Sequence, residues 1–349
     1  MSRRALTLLV SSFLVLALGV VGAFLNVPYV VLSPGPTENT LGEVNDKPVI
    51  TITGRQTYTT SGALRLVTVE YKGGPHNRID LLTALRGWID PTVAVVPEAT
   101  IFPPDQTAKQ VEEQNAAEMT GSQDSATAAA LTELGIPFTA DVVAAAVEKD
   151  LPAAGKIKAG DQFVSVDGKK ATSTEVVTGT VQAHKPGETV TFVVLRDGKQ
   201  VEVPIQTVAS PAGKAMVGVQ LGVKKYYFPF TVSISVGEVG GPSAGLMFSL
   251  GILDKLTPGE LTGGHSIAGT GTITAEGDVG PIGGIAQKMV GAKNAGATIF
   301  LTPEDNCAEA VKAAPEGLRL VKATTLHEAV KAIDALRTGK GDVPSCAAG

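Results

Sequence analysis

The 349-residue chain predicts an α+β fold behind one N-terminal transmembrane helix. Three observations carry this. The run Ala5 to Leu25 is uncharged and largely apolar, and about 20 such residues suffice to cross a bilayer. Short stretches rich in Val, Ile, Leu and Thr then alternate irregularly with helical patterns, as expected of mixed strands and helices. Finally, Phe138 to Val208 is β-rich and set apart from what precedes and follows it.

Arg3 and Arg4 precede the apolar run, and no basic residue follows until Lys47. The positive-inside rule therefore expects residues 1–4 in the cytoplasm, residues 5–26 as a single-pass anchor and the remainder outside. A cleavable signal sequence is the alternative. Val21-Gly22-Ala23 offers a small-residue cleavage site, and Ser2-Arg3-Arg4 is similar to a twin-arginine signal, which would leave the protein secreted. The run exceeds the 7–15 apolar residues usual for such signals, which favours a retained anchor.

Residues 27–135 are expected to form the first folded part. Val27 to Leu32 reads as a strand ended by the turn cluster Ser33-Pro34-Gly35-Pro36. Val49 to Thr53 and Ala63 to Tyr71 read as strands. Arg78 to Ile89 reads as a helix whose apolar face includes Ile79, Leu82, Leu85 and Trp88/Ile89, with Trp88 as a packing residue. Asp105 to Leu134 reads as one or two helices, with Gly121 as the dividing point.

The next stretch contains Leu151-Pro152-Ala153-Ala154-Gly155, Ala159-Gly160-Asp161, Val164-Ser165-Val166-Asp167-Gly168 and Lys185-Pro186-Gly187-Glu188, and a strand pair across Asp197-Gly198. It resembles a PDZ domain of the bacterial kind, with expected limits 136–209. The resemblance implies capture of an extended peptide as an added strand, its carboxylate held on backbone N–H groups. Gly135, Ile136 and Phe138 are the expected carboxylate loop. A β-rich spacer that binds nothing is the rival reading.

After a strand at Phe230 to Val236 comes Gly240-Gly241-Pro242-Ser243-Ala244-Gly245, then an apolar run with no charge before Asp254. A helix that is apolar all round is buried. Pro242 suits its first turn, which sets Ser243 beside free N–H groups at the positive end of the helix. That is a place to stabilise an oxyanion, with Gly241 and Ala244 as expected donors. Serine is also a common cap; a lysine downstream argues for more. Gly283 and Gly284 open a helix from Ile285 to about Ala295, on which Ile285, Lys288, Met289 and Ala292 share one face. Lysines on apolar faces usually snorkel to water. The alternative is desolvation, which lowers the pKa, and a neutral amine can deprotonate a serine hydroxyl.

Gly241-Pro242-Ser243-Ala244-Gly245, Ala268-Gly269-Thr270-Gly271-Thr272-Ile273, Val279-Gly280-Pro281-Ile282-Gly283-Gly284-Ile285 and Lys288 occur in that order. Together they resemble the proteolytic domain of Lon proteases, in the membrane-anchored, PDZ-containing branch. The resemblance implies Ser243 as nucleophile, Lys288 as its base, Thr270 as a hydrogen-bonding support and assembly into a homo-oligomeric ring. Met119 to Ala126 resembles the start of a long helix of the same domain. The expectation is therefore a Lon-type domain interrupted by the PDZ domain, with its core at 210–338 and a disordered tail at 339–349. Two departures stand out: Gly240 lies where the family often has Asp, and Thr231 to Ser235 lacks the histidines often found there.

Gly-Pro-Ser-Ala-Gly also satisfies G-x-S-x-G, which raises an α/β-hydrolase triad with Asp305 and His327. A non-catalytic PDZ scaffold is a further alternative. No Walker A pattern occurs, so ATP-independent cleavage of unfolded or flexible proteins is expected. The mildly acidic chain, net charge −5, has no basic patch for nucleic acid. No Cys/His spacing suggests a metal, and no cofactor is expected. Cys307 and Cys346 are the two cysteines, and two cysteines alone prove no connectivity.

Overall fold

The computed structural model describes residues 3–346 apart from 76, 104, 105 and 238. The expected helix start at Asp105, the first two residues of the cytoplasmic tip and the last three of the tail lie outside the described residues. The chain divides into two compact units, Met1–Gly135 with Phe230–Gly349, and Ile136–Pro229.

The main elements in chain order are α1 (Arg3–Phe24), β1 (Tyr29–Asn39), β2 (Ile50–Thr53), β3 (Ala63–Lys72), α2 (Leu81–Ile89), β4 (Ala94–Pro97) and α3 (Ala108–Glu133). The second unit holds β5 (Thr139–Val147), β6 (Gln162–Val166), α4 (Thr174–Gln182), β7 (Thr189–Arg196), β8 (Lys199–Gln206) and β9 (Val219–Tyr227). The first unit resumes with β10 (Thr231–Ile234), α5 (Gly245–Leu256), β11 (Ser266–Gly269), α6 (Ile285–Asn294), β12 (Ile299–Pro303), α7 (Cys307–Ala313), β13 (Arg319–Ala323) and α8 (Leu326–Thr338).

The first unit is built on a mixed sheet in the order β13-β12-β11-β3-β1-β4, parallel from β13 to β3 and antiparallel beyond. Neighbouring residues of a strand face opposite sides. Ala268 of β11 packs with Val67, Phe300 and Met289 beneath α6. Gly269, next along, faces α5: a Cβ there would stand 2.7 Å from Met247 Sδ. Helices α5 and α6 thus cover opposite faces and meet beyond the end of β11. α3 packs along α5. It is one uninterrupted helix through Gly121, opened by a capping box between Thr107 and Gln110.

Several expectations need correction. The cluster at 33–36 is not a turn but lies within β1, whose register against β3 shifts between Pro34 and Thr37, as at a bulge. β11 ends at Gly269, Thr270 and Gly271 lie outside any strand, and Thr272–Ile273 pairs antiparallel with Val279–Gly280. α2 buries Ala84 and Gly87 and leaves Leu85, Trp88 and Ile89 exposed, with Trp88 packing at the surface against Tyr29 as a packing residue should. The tail from 339 is tied down rather than loose: Lys322 of the edge strand β13 donates its N–H to Pro344 O (2.9 Å), and Cys346 is disulfide-bonded to Cys307.

The second unit is a six-stranded antiparallel sheet, five strands in the order β8-β7-β6-β5-β9 and the short strand Lys169–Lys170 paired with β6, closed by α4 over a core that includes Phe163, Phe192, Val177 and Ile205. Asp197 and Gly198 both have positive φ, as a two-residue type I′ hairpin requires. The unit continues to Pro229 rather than 209, because β9 pairs along β5.

Candidate active site

Ser243 lies just before α5. The helix starts at Gly245 with Ala244 as its N-cap residue, so Pro242 does not enter the first turn as expected. The segment is held in place by α3: Gly241 N–H donates to Asn115 O (2.9 Å), and Ser122 Oγ donates to Pro242 O (2.9 Å). Gly241 is therefore already engaged and is not a free oxyanion donor. Among the described residues the N–H groups of Ser243 and Ala244 have no hydrogen-bond partner. Those two amides, at the positive end of a buried helix, are the donors this site offers.

Lys288 comes from α6, whose N-cap Gly284 adopts φ 69°. Ile285, Met289 and Ala292 on the same face are buried, and Lys288 is only 4% exposed. Lys293 is exposed. The Lys288 Nζ lies 2.8 Å from Ser243 Oγ and 3.1 Å from Thr270 Oγ1. Thr270 Oγ1 in turn donates to Ser243 O (3.0 Å). With its proton on that carbonyl, the threonine oxygen accepts an N–H from Lys288, which holds the amine beside Ser243 Oγ. Burial pushes the Lys288 ammonium down to about 8.

The structure thus brings Ser243, Lys288, Thr270 and Ala244 together and leaves Gly241 out. His327 is elsewhere: its ring bonds Glu133 Oε1 (2.8 Å), and Lys288 rather than an imidazole holds Ser243 Oγ. Three supporting residues escaped sequence reasoning. Asn115 and Ser122 come from α3, more than a hundred positions upstream. Asn306 is buried, and its side chain makes two 2.9 Å bonds to the backbone of Ile282, which fixes the turn before α6. No local pattern marks any of them, since each acts through a partner distant in sequence.

Gly135, Ile136 and Phe138, the expected carboxylate loop, lie between α3 and β5. Gly135 (φ 63°) ends α3 as a helix C-terminal glycine, its N–H on Thr132 O. Phe138 packs its ring against Tyr226 and Phe228. A groove of the second unit lies between α4 and the start of β9. It is a cavity of ≈160 Å³ lined by Val177 and Val181 of α4, by Phe163 and Phe192, and by Val217 and Leu221. Gly218 (φ 82°) is at its rim, and a Cβ there would fall 2.2 Å from Leu151 Cβ, so only glycine fits. The apolar–Gly–apolar run Val217-Gly218-Val219 opening a strand was the legible signal.

Residues 230–336 match the family profile of the Lon protease (S16) C-terminal proteolytic domain, and residues 111–207 match that of the PDZ domain. The chain carries a Lon-type proteolytic domain and a PDZ domain. The PDZ match begins inside α3 and stops before β9, whereas the compact unit that encloses it runs Ile136–Pro229. Among relatives, Lon protease 1 of Bacillus subtilis is 34% identical over 120 residues, covering 32% of this chain and 15% of that protein. The Lon protease of Lachnoclostridium phytofermentans is 36% identical over 95 residues, 26% of this chain and 11% of its own length. The chain therefore spans only a small part of these relatives. A crystal structure of the PDZ domain of the SdrC-like protein from Listeria innocua is 27% identical, covers 24% of this chain and 94% of that one, and superposes with a TM-score of 0.22.

Proposed function

We propose that this chain is a serine endopeptidase with a Ser243–Lys288 dyad, acting without nucleotide on unfolded or flexible proteins recruited by its PDZ domain. The observation that carries the reading is the 2.8 Å approach of a buried amine to Ser243 Oγ, with Thr270 beside it. Neutral Lys288 takes the Ser243 proton as Oγ bonds to the peptide carbonyl carbon. The carbonyl electron pair moves onto oxygen, where the Ser243 and Ala244 N–H groups stabilise it. Collapse breaks the C–N bond, the ammonium returns its proton to the leaving amine, and an acyl-enzyme remains. Water, deprotonated by the same amine, releases the second product. A serine-reactive probe is expected to label the wild type and not Ser243→Ala. Equal labelling of both would remove Ser243 from the role and favour a non-catalytic scaffold.

The PDZ groove supports recruitment of an extended apolar C-terminus. β9 is the edge of its sheet, so an added strand can pair there while an apolar side chain enters the cavity beside α4. A charge at Val181, one of the cavity-lining residues, would be desolvated by the incoming chain. Val181→Asp is expected to weaken binding of a peptide ending in an apolar residue by about tenfold or more. Fluorescence anisotropy with the labelled peptide measures this, and unchanged affinity would place recognition elsewhere. The remaining parts of the reading are a single-pass anchor formed by α1, with both domains on the non-cytoplasmic side, and assembly into a ring.

A further inference from the structure

Helix α2 is built inside out. Its small residues Ala84 and Gly87 face the protein, and a Cβ on Gly87 would stand 2.7 Å from Val95 Cγ2. Its large apolar residues face away: Leu85 is 41% exposed, Trp88 54% and Ile89 83%. At 100° per residue, Leu82, Ile89, Leu85 and Trp88 form one continuous stripe, with Gly87 across the helix from it and Ala84 bordering it beside Trp88. A helix at a water-facing surface normally has the reverse arrangement. Arg86, also exposed, flanks the stripe.

The position of this stripe gives it meaning. The apolar segment of α1 long enough to cross a membrane is Arg3–Gly22. Its last residue touches α2: the Leu82 side chain lies 3.6 Å from where a Gly22 Cβ would be. Immediately beyond, Leu81 N–H donates to Leu25 O (2.9 Å), and Asn26–Val27 pairs antiparallel with Ile79–Asp80. The start of α2 is thus fastened to the exit of the span. A nine-residue helix is only about 13 Å long, so no residue of α2 lies much further than that from the exit of the span. Trp88 stacks edge-on with Tyr29, ring centroids 5.6 Å apart. Such aromatic side chains concentrate at membrane–water interfaces, because one end is apolar and the other polar.

We infer that α2 lies in the headgroup–acyl boundary of the bilayer, with Leu85, Trp88 and Ile89 in lipid and Arg86 at the phosphates, so that the Lon-type unit is seated on the membrane surface. This rests on the anchor reading of α1. The seat adds a second attachment beside the span and restrains how far the unit tilts from the membrane.

Trp88 is the sole tryptophan of the chain and reports its own depth. The full chain is reconstituted into phosphatidylcholine–phosphatidylglycerol vesicles, with or without acyl-brominated phosphatidylcholine, and incorporation is followed by flotation. The expected result is co-flotation, blue-shifted emission, roughly twofold or greater quenching by lipid brominated near the headgroup end, and little quenching by aqueous iodide. Leu85→Asp/Ile89→Asp should still float through α1, with native circular dichroism, but lose the lipid quenching and gain iodide quenching. Four results would overturn the seat. Flotation with iodide-accessible, lipid-unquenched Trp88 removes it and leaves the anchor standing. Trp88 protected from both quenchers means that a second copy of the chain covers the stripe. Lipid quenching that persists in the double variant means that these side chains do not make the contact. Failure of the wild type to float refutes the anchor, and the seat falls with it.

Discussion

Lys288→Arg is expected to lower kcat/KM for peptide-bond cleavage by about 10²–10⁴-fold, the usual contribution of a positioned general base. Arginine keeps a cation in the site but cannot lose its proton, so the variant separates base catalysis from mere charge. The same argument sets the pH profile of the wild type. The lysine acts only when neutral, and burial brings its pKa down to about 8. At pH 7 about a tenth of the molecules carry the free amine. Activity should therefore rise with pH through about 8 and level off above it. Rates measured from pH 6 to 10 at constant ionic strength test this, and a profile that falls or stays flat across that range would remove Lys288 as the base.

Lys288→Met is expected to make the protein more stable as it makes it inactive. The unfolded lysine titrates near 10.5 and the folded one near 8. Between those values the unfolded chain holds a proton that the folded chain has released, so wild-type stability rises with pH across that window. Below pH 8 both states are charged, and the folded state bears the whole burial penalty, about 3 kcal/mol at 1.36 kcal/mol per pKa unit. Methionine has similar length and no charge. It also gives up contacts to Ser243 and Thr270, each worth about 1 kcal/mol. The net gain at pH 7 is therefore about 1–3 kcal/mol, and it shrinks as the pH rises toward 10. Chemical denaturation at pH 7 and pH 10 measures it. A destabilised Lys288→Met at pH 7 would show that the amine rests there without strain, as it would if it were well solvated or paired.

Sequence legibility varied with how local each cause was. The place of Lys288 on an apolar face was readable because Ile285, Met289 and Ala292 share that face at helical spacing, whereas its burial, in place of snorkelling to water, was decided by packing. The strand β3 and the helices α5 and α6 were readable for the same reason. Helix α2 was legible from its periodicity, but which face it buries was not. Apolar spacing identifies a face but not what covers it, and here Ala84 and Gly87 are buried while Leu85, Trp88 and Ile89 are exposed. The full extent of the second unit was not legible, because its last strand β9 pairs with β5 about eighty residues upstream.

The sequence by itself determined the apolar N-terminal helix, the two domain types, and the residue kinds a dyad requires: one serine before a buried helix and one lysine within an apolar stripe. Tertiary structure alone decided that these two meet. Helices on opposite faces of one sheet converge past the end of β11, where Thr270 bridges them and Asn115, Ser122 and Asn306 hold the flanking turns. It also decided which amides are left free: Gly241 donates to a helix far upstream, whereas Ser243 and Ala244 do not. The physical reason is the range of the forces. Periodicity and turn chemistry act between neighbours in the chain, whereas a hydrogen bond across 45 residues exists only once packing has brought its ends together.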